Sequence, residues 1–252
     1  MIKLKSKEEI KILKEGGHIL AKILLEVAKK VKPGVTTREL DWVAENYILK
    51  FGGEPAFKNY QPSFSLAPFP ASLCVSVNNV IVHGIPGDYV LAGGDVVKLD
   101  LGMKYKGLYT DMAITVGVGN ISPLAKKLIQ TTKKALELAI KKAQPNATLG
   151  DVGFAIQSYV RSRGFYEIQT LTGHGVGYSQ HEDPDVFNYG TPGKGIKLKE
   201  GMVIAIEPMV AVDSPDVVEL HDGSFATKTG CLSAHFEHTI AITDRGPIVL
   251  TK

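Results

Sequence analysis

Four acidic side chains interrupt apolar stretches of the chain. Asp100 lies in Val96-Val97-Lys98-Leu99-Asp100-Leu101, and Asp111 heads Asp111-Met112-Ala113-Ile114. Glu207 ends Val203-Ile204-Ala205-Ile206-Glu207, and Glu237 opens Glu237-His238-Thr239-Ile240. A carboxylate inside such a strand is costly to bury unless it is paired or bound to a cation. Taken singly, each could meet a lysine or arginine, or reach a sheet edge. The sequence repeats itself around them, however. Leu91-Ala92-Gly93-Gly94-Asp95-Val96-Val97-Lys98-Leu99-Asp100 echoes Leu198-Lys199-Glu200-Gly201-Met202-Val203-Ile204-Ala205-Ile206-Glu207, and Thr110-Asp111-Met112-Ala113-Ile114-Thr115 echoes Phe236-Glu237-His238-Thr239-Ile240-Ala241. A twofold relation between the copies would bring all four carboxylates to one place. Four anions in an apolar site cannot all stay ionised and unpaired. Two divalent cations relieve the repulsion, and oxygen-rich ligation with open positions suits cobalt, manganese, iron or zinc in a hydrolytic centre.

A nitrogen ligand is available in His174, inside Thr172-Gly173-His174-Gly175-Val176-Gly177, where flanking glycines permit close backbone approach. His181, before Glu182-Asp183-Pro184, and His83, in Val82-His83-Gly84-Ile85-Pro86, are candidate donors to a substrate carbonyl or a tetrahedral oxyanion. His221, His235 and His238 have no spacing that favours metal and are expected at the surface or behind the ligands. Other chemistries find no support. His181-Glu182-Asp183-Pro184-Asp185 is not H-E-x-x-H, the glycines around His174 lack dinucleotide spacing, and neither G-x-S-x-G nor a P-loop occurs.

The elements that must position these groups fall into two halves, roughly 1–120 and 121–252, of a single catalytic domain. Ser6 and Glu9 spell a capping box for a helix over 6–31, closed by Pro33-Gly34. A second helix is expected over 37–51, with Thr37 as N-cap and Gly52-Gly53 as its stop. Helix 123–143 and the segment from Gln144 to Gly164 repeat the pair: Thr36 matches Thr148, Glu39 matches Asp151, Trp42 matches Phe154, and Gly52 matches Gly164. Strands are expected over 73–77, 80–83, 96–103, 109–116, 175–180, 202–212, 217–221 and 237–243. Helix pairs with strands between them indicate an α+β fold with antiparallel sheet.

Composition narrows the class further. The 252 residues are 44% hydrophobic and 22% charged, so the chain can build a core and is not disordered. A net charge of +3 is too small and dispersed to argue for nucleic acid. The lysines of Lys3-Lys5-Lys7 and Lys29-Lys30-Lys32 are expected on solvated faces. Two cysteines, Cys74 and Cys231, make no disulfide framework and fit a reducing compartment. The opening residues lack a signal-peptide core, and no apolar run reaches the ~18 residues of a membrane span. A cytoplasmic, monomeric protein is the expectation.

Together these residues resemble the type I methionine aminopeptidases. The resemblance rests on Asn78-Asn79-Val80-Ile81-Val82-His83-Gly84-Ile85-Pro86, Lys98-Leu99-Asp100-Leu101-Gly102, Thr110-Asp111-Met112-Ala113, Gly173-His174-Gly175-Val176-Gly177, His181-Glu182-Asp183-Pro184, Ile206-Glu207-Pro208-Met209 and Phe236-Glu237-His238-Thr239. It implies the pita-bread fold, two pseudo-twofold halves around a central metal site. It implies two divalent ions held by Asp100, Asp111, His174, Glu207 and Glu237, and removal of the N-terminal methionine from nascent proteins and peptides. In that scheme a hydroxide between the cations attacks the carbonyl, Glu207 also shuttles the proton, and His83 and His181 steady the reacting oxygen. Ribosome contact would suit an enzyme acting on nascent chains.

The chain departs from the family at the expected methionine pocket. Gln180 stands where relatives usually place phenylalanine, and Ser224 where they usually place tryptophan. Phe64, Leu66, Phe69 and Cys74 are the remaining candidates for an apolar cup. This departure keeps a proline-specific aminopeptidase or dipeptidase of the same fold as the alternative. A non-catalytic peptide-binding module is a third reading, disfavoured because no ligand position is lost.

Overall fold

The computed structural model describes residues 2–61 and 67–252. Among the described residues four helices pack in two pairs. The first pair is α1 (Lys7–Ala28) and α2 (Thr37–Lys50); the second is α3 (Pro123–Lys142) and α4 (Leu149–Ser162). Local chemistry sets their starts. Ser6, Thr36 and Thr148 each accept the N–H of the third helical residue, and Glu9, Glu39 and Asp151 each return the bond to the cap. Such reciprocal capping satisfies two otherwise orphaned donors. The matched boxes at Thr36 and Thr148 realise the repeat seen in the sequence. Thr37, expected as the cap of α2, is instead its first helical residue, because Thr36 has the extended backbone a cap requires. Helix α1 stops at Ala28, short of Val31, where Lys29, Lys30 and Val31 close turns onto Leu25, Val27 and Ala28.

The strands, in chain order, are β1 (Glu54–Pro55), β2 (Leu73–Val77), β3 (Val80–Val82), β4 (Val96–Tyr105) and β5 (Leu108–Gly117) in the first half. They continue as β6 (Tyr166–Glu167), β7 (Thr172–Gly175), β8 (Glu182–Phe187), β9 (Val203–Ile206) and β10 (Met209–Ala211). The last are β11 (Val217–Glu219), β12 (Phe225–Thr227), β13 (Ser233–His235), β14 (His238–Thr243) and β15 (Gly246–Val249). All pairings among them are antiparallel. In the first half β4 is flanked by β2 and β5; in the second, the order is β15-β14-β9-β7-β8.

Each helix pair buries its apolar stripe on one of these sheets. Leu20, Leu24 and Val27 of α1 and Leu40 and Ile48 of α2 pack on Val97, Leu99 and Leu101 of β4. In the second half, Leu128 and Leu136 of α3 and Val152 and Ile156 of α4 meet Ile204, Ile206 and Ile240. Each fully buried aliphatic side chain contributes roughly 2 kcal/mol. Helix α4 approaches the loop after β8 so closely that a Cβ on Gly153 would lie 2.2 Å from the Tyr189 carbonyl oxygen.

The halves join along β5. The Glu237 N–H donates to the Ala113 carbonyl (2.9 Å). The Thr239 hydroxyl accepts the Asp111 N–H (2.9 Å) and donates to the Asp111 carbonyl (2.8 Å). The Thr115 hydroxyl likewise bonds both backbone groups of His235. These bonds lay the echo around Asp111 beside the echo around Glu237.

Two expected strands are broken. The stretch over 202–212 splits into β9 and β10 at Glu207-Pro208, since proline offers no N–H to the ladder. The expected strand over 175–180 is a turn after β7, because the Glu182 carboxylate accepts the N–H groups of Tyr178 and Ser179. Strands β1, β6, β8, β12, β13 and β15 were not expected; most are only two to four residues long.

Candidate metal centre

Two neighbouring β-positions start the site. Asp100 on β4 faces Cys74 on β2, and Asp111 on β5 faces Gly102 on β4. Both carboxylates point inward and are buried. His174 comes from β7, Glu207 from the break after β9, and Glu237 from the two-residue link between β13 and β14. One ligand atom from each of Asp111, His174 and Glu237 lies within 4.8 Å of the others. Asp100 and Glu207 complete the cluster. Asp100 shares a hydrogen bond with Asp111 and feels the charge of Glu207, and Glu207 Oε1 is 3.6 Å from His174 Nε2.

The electrostatics of the cluster ask for cations. Burial and mutual repulsion push Asp100, Glu207 and Glu237 well above the usual carboxylate range. Burial raises Asp111 to about 7, against the opposing hydrogen bonds from the Met112 N–H, Asp100 and Gln180. Among the described residues no lysine or arginine pairs with any of the four. Lys98, two residues before Asp100 and fully buried, donates elsewhere, to the Asn78 carbonyl (2.7 Å).

The donor set fits divalent metal on two observations. Asp100 Oδ1 and Glu237 Oε1 are buried oxygens with no hydrogen-bond partner, which is costly unless an ion serves them. His174 Nδ1 lies 2.8 Å from the Gly175 carbonyl. A carbonyl can only accept, so Nδ1 carries the proton and Nε2 turns a lone pair toward the carboxylates. Burial holds this imidazole down at about 4, so it is neutral at pH 7 and able to ligate.

Residues 11–244 match the family described as Metallopeptidase family M24. The chain belongs to metallopeptidase family M24. Its two α+β halves are the pita-bread fold of that family. The methionine aminopeptidase of Clostridium perfringens is 47% identical, covering 100% of this chain and 99% of that protein. Methionine aminopeptidase 1 of Bacillus subtilis is 45% identical over 100% of both. The crystal structure of methionine aminopeptidase from Thermotoga maritima superposes with a TM-score of 0.96 at 43% identity over 100% of both chains. The prolidase of Pyrococcus horikoshii shares the fold at a TM-score of 0.78 and 27% identity, but this chain covers 63% of it.

The remaining candidate residues of this M24 chain lie around the cluster. The His181 ring stands 4.3 Å from the His174 ring, and its Nδ1 is 2.8 Å from the Tyr60 hydroxyl. His83, at φ 59°, holds a backbone conformation that L-residues rarely adopt. Its ring packs 5.6 Å from Phe225, and desolvation lowers it to about 4. Desolvation lowers His181, and the nearby His174 and His83 imidazoles further oppose its protonation.

Beside Asp100, Cys74 packs with Ala56 and Phe57, bordered by Phe69 and Tyr109. Phe57 and Phe69 meet edge to face at 6.4 Å. Phe64 and Leu66 lie outside the described residues. Gln180 is buried between this cup and the cluster, its amide donating to Asp111 Oδ2. Ser224 is buried and bonded to Asp222 (2.6 Å).

One expectation about an individual residue is narrowed and one fails. Of the two places expected for His235, at the surface or behind the ligands, it takes the second: it is fully buried, with Nε2 3.2 Å from Glu207 Oε2. Its position on β13, paired with Met209 two residues beyond Glu207, brings it there. Lys5 is not on a solvated face. Its ammonium is buried 2.7 Å from Glu182 Oε2, because Lys5 precedes α1 and its N–H bonds the Gly201 carbonyl. Cys74 and Cys231 are both free, and no described helix is long and apolar enough to cross a membrane.

Proposed function

We propose that this chain is a methionyl aminopeptidase, a metal-dependent exopeptidase that hydrolyses the bond after an N-terminal methionine. The observation that carries the reading is the convergence of Asp111, His174 and Glu237, with Asp100 and Glu207 against them, in an M24 chain. Full-length similarity to proteins named methionine aminopeptidase supports the substrate class.

In this reading Asp100, Asp111, His174, Glu207 and Glu237 hold two divalent cations, drawn from cobalt, manganese, iron and zinc. When bound, such a pair polarises the scissile carbonyl and brings the pKa of water near neutrality. The chain's own groups do the rest. Glu207, buried and with a raised affinity for protons, passes a proton to the leaving amine. His83 and His181, neutral at pH 7, donate ring N–H bonds to the carbonyl oxygen as it gains charge. The cup of Ala56, Phe57, Phe69 and Cys74 excludes water and takes the apolar side chain of the first residue.

The whole chain acts as one catalytic domain, and a single copy suffices, since every group named comes from it. Its substrates are the free N-termini of peptides and of chains emerging from the ribosome, in the reducing cytoplasm that unpaired cysteines tolerate. Gln180 gives the cup a polar wall, and that observation keeps the proline-specific reading as the alternative. Incubation with Met-Gly-Met-Met and with an Xaa-Pro peptide, after chelation and readdition of Mn2+, separates the two. Release of free methionine from the first alone supports the proposal; cleavage of the Xaa-Pro peptide alone overturns it.

A further inference from the structure

We propose that Lys5 is a positioning residue for His181: its buried ammonium fixes, through Glu182, the turn that presents the His181 ring. The inference rests on the reading of His181 as a group that touches substrate, so its test keeps a readout independent of turnover.

Glu182 closes the hairpin of β7 and β8, paired with Gly175. One of its carboxylate oxygens accepts the N–H groups of Tyr178 and of Ser179, the latter at 2.9 Å. The other oxygen takes Lys5 Nζ at 2.7 Å, with the two side chains only 1% and 9% exposed. The turn so clamped runs over 178–182 and contains His181, whose ring lies against that of His174.

Lys5 is itself held from several sides. Its N–H donates to the Gly201 carbonyl (2.7 Å), and Nζ also donates to the Lys3 carbonyl (3.2 Å). Nζ stands 4.9 Å from the centre of the Tyr178 ring, whose hydroxyl donates to Glu9 in the first turn of α1 (2.8 Å). The stem presses on Gly177 so closely that a Cβ there would meet Lys5 Cε at 2.4 Å.

A buried ion pair gives little net stability, because desolvation offsets the attraction. What this pair does fix is geometry. Without Lys5, the Glu182 carboxylate has no cation and turns toward solvent, releasing the two N–H groups that define the turn. Displacement of a group that acts on the substrate by about 1 Å can reduce turnover on the order of 100-fold.

The test uses the full chain carrying Lys5→Met, Lys5→Arg, Glu182→Gln or Lys5→Met with Glu182→Gln. The first readout is the imidazole NMR signal of His181 in chelator-treated protein, assigned by its loss in His181→Gln. It should shift and broaden in Lys5→Met and in Glu182→Gln, while the signals of the exposed His18 and His221 stay in place. The second readout is turnover of Met-Gly-Met-Met with Mn2+: kcat should fall roughly 10–100-fold, with KM changed less than about threefold and metal content intact. Lys5→Arg should recover much of the loss, and the double variant should be no worse than the poorer single one.

An unmoved His181 signal in both single variants overturns the proposal, as does a kcat loss matched by the fraction unfolded in a denaturation curve. A moved signal with unchanged kcat supports the clamp and overturns the reading of His181 as a group acting on substrate. Should Lys5→Met fail to fold, Glu182→Gln carries the same two readouts.

Discussion

Chelation of metal should leave a protein whose stability falls as the solution becomes more alkaline. Asp111 is raised to about 7 by burial, and Asp100, Glu207 and Glu237 are raised well above their ordinary range. In the unfolded chain all four ionise near pH 4. Between these limits the folded state holds more protons than the unfolded one, so stability drops with rising pH. The desolvated histidines act in the other direction. Five of them oppose the four carboxylates: His174, His83 and His238 are lowered to about 4, His235 to about 3 and His181 to about 2. They stay neutral in the fold while their unfolded counterparts protonate below about pH 6.5, which destabilises the fold as pH falls.

The two effects oppose below about pH 6.5; above it the four carboxylates outweigh Lys98, which burial holds well below the ordinary lysine range and which offsets one of them. Metal-free stability should therefore peak near pH 6.5. From there to about pH 8, each extra proton held by the fold is worth roughly 2 kcal/mol, from 1.36 kcal/mol per pH unit. For a chain of this length that lowers Tm by about 4–8 °C per proton. Differential scanning calorimetry in EDTA across this range reads the slope directly. Added Mn2+ should flatten or reverse it, because the cations replace the protons and bind better as the ligands ionise. A metal-free Tm that is flat or rises between about pH 6.5 and 8 would refute the reasoning.

His174→Ala should lower the Mn2+ content of purified protein and reduce kcat/KM for Met-Gly-Met-Met by at least about 100-fold, measured by elemental analysis and steady-state kinetics. Gln180→Met removes the amide that bonds Asp111 and makes the cup wall apolar. It should lower KM for Met-Gly-Met-Met several-fold; a raised KM would show that the amide assists binding. Gly153→Ala adds helix propensity worth about 1 kcal/mol, yet sets a Cβ 2.2 Å from the Tyr189 carbonyl. Backbone cannot give way as a flexible side chain can, so a net loss of roughly 2 kcal/mol or more is expected in urea unfolding.

Much of this site was legible in the chain because repetition compensates for the weakness of a single sequence. The carboxylates at Asp100 and Glu207 follow matched glycine turns, and those at Asp111 and Glu237 open matched apolar runs. The same repetition marked Thr36 and Thr148, which both became capping-box residues. What escaped notice depends on pairings that sequence does not carry. For His235 the sequence left two places open, at the surface or behind the ligands, and the pairing of β13 with β10 selects the second by bringing it to Glu207. Lys5 looked like one of three solvated lysines, but the partner that buries it, Glu182, lies on a distant hairpin. The stretch over 175–180 reads as a strand, since the side chain that turns it, Glu182, acts on backbone N–H groups four and three residues upstream. The break at Pro208 that frees Glu207 from the ladder does not figure in the expected strand over 202–212, although proline alone is sufficient signal.

The most direct measurement is anomalous diffraction at the manganese edge from crystals equilibrated with Mn2+. Two peaks should appear among the carboxylates of Asp100, Asp111, Glu207 and Glu237, with one of them bonded to His174 Nε2. A single peak, or density for manganese only elsewhere on the molecule, would contradict the account.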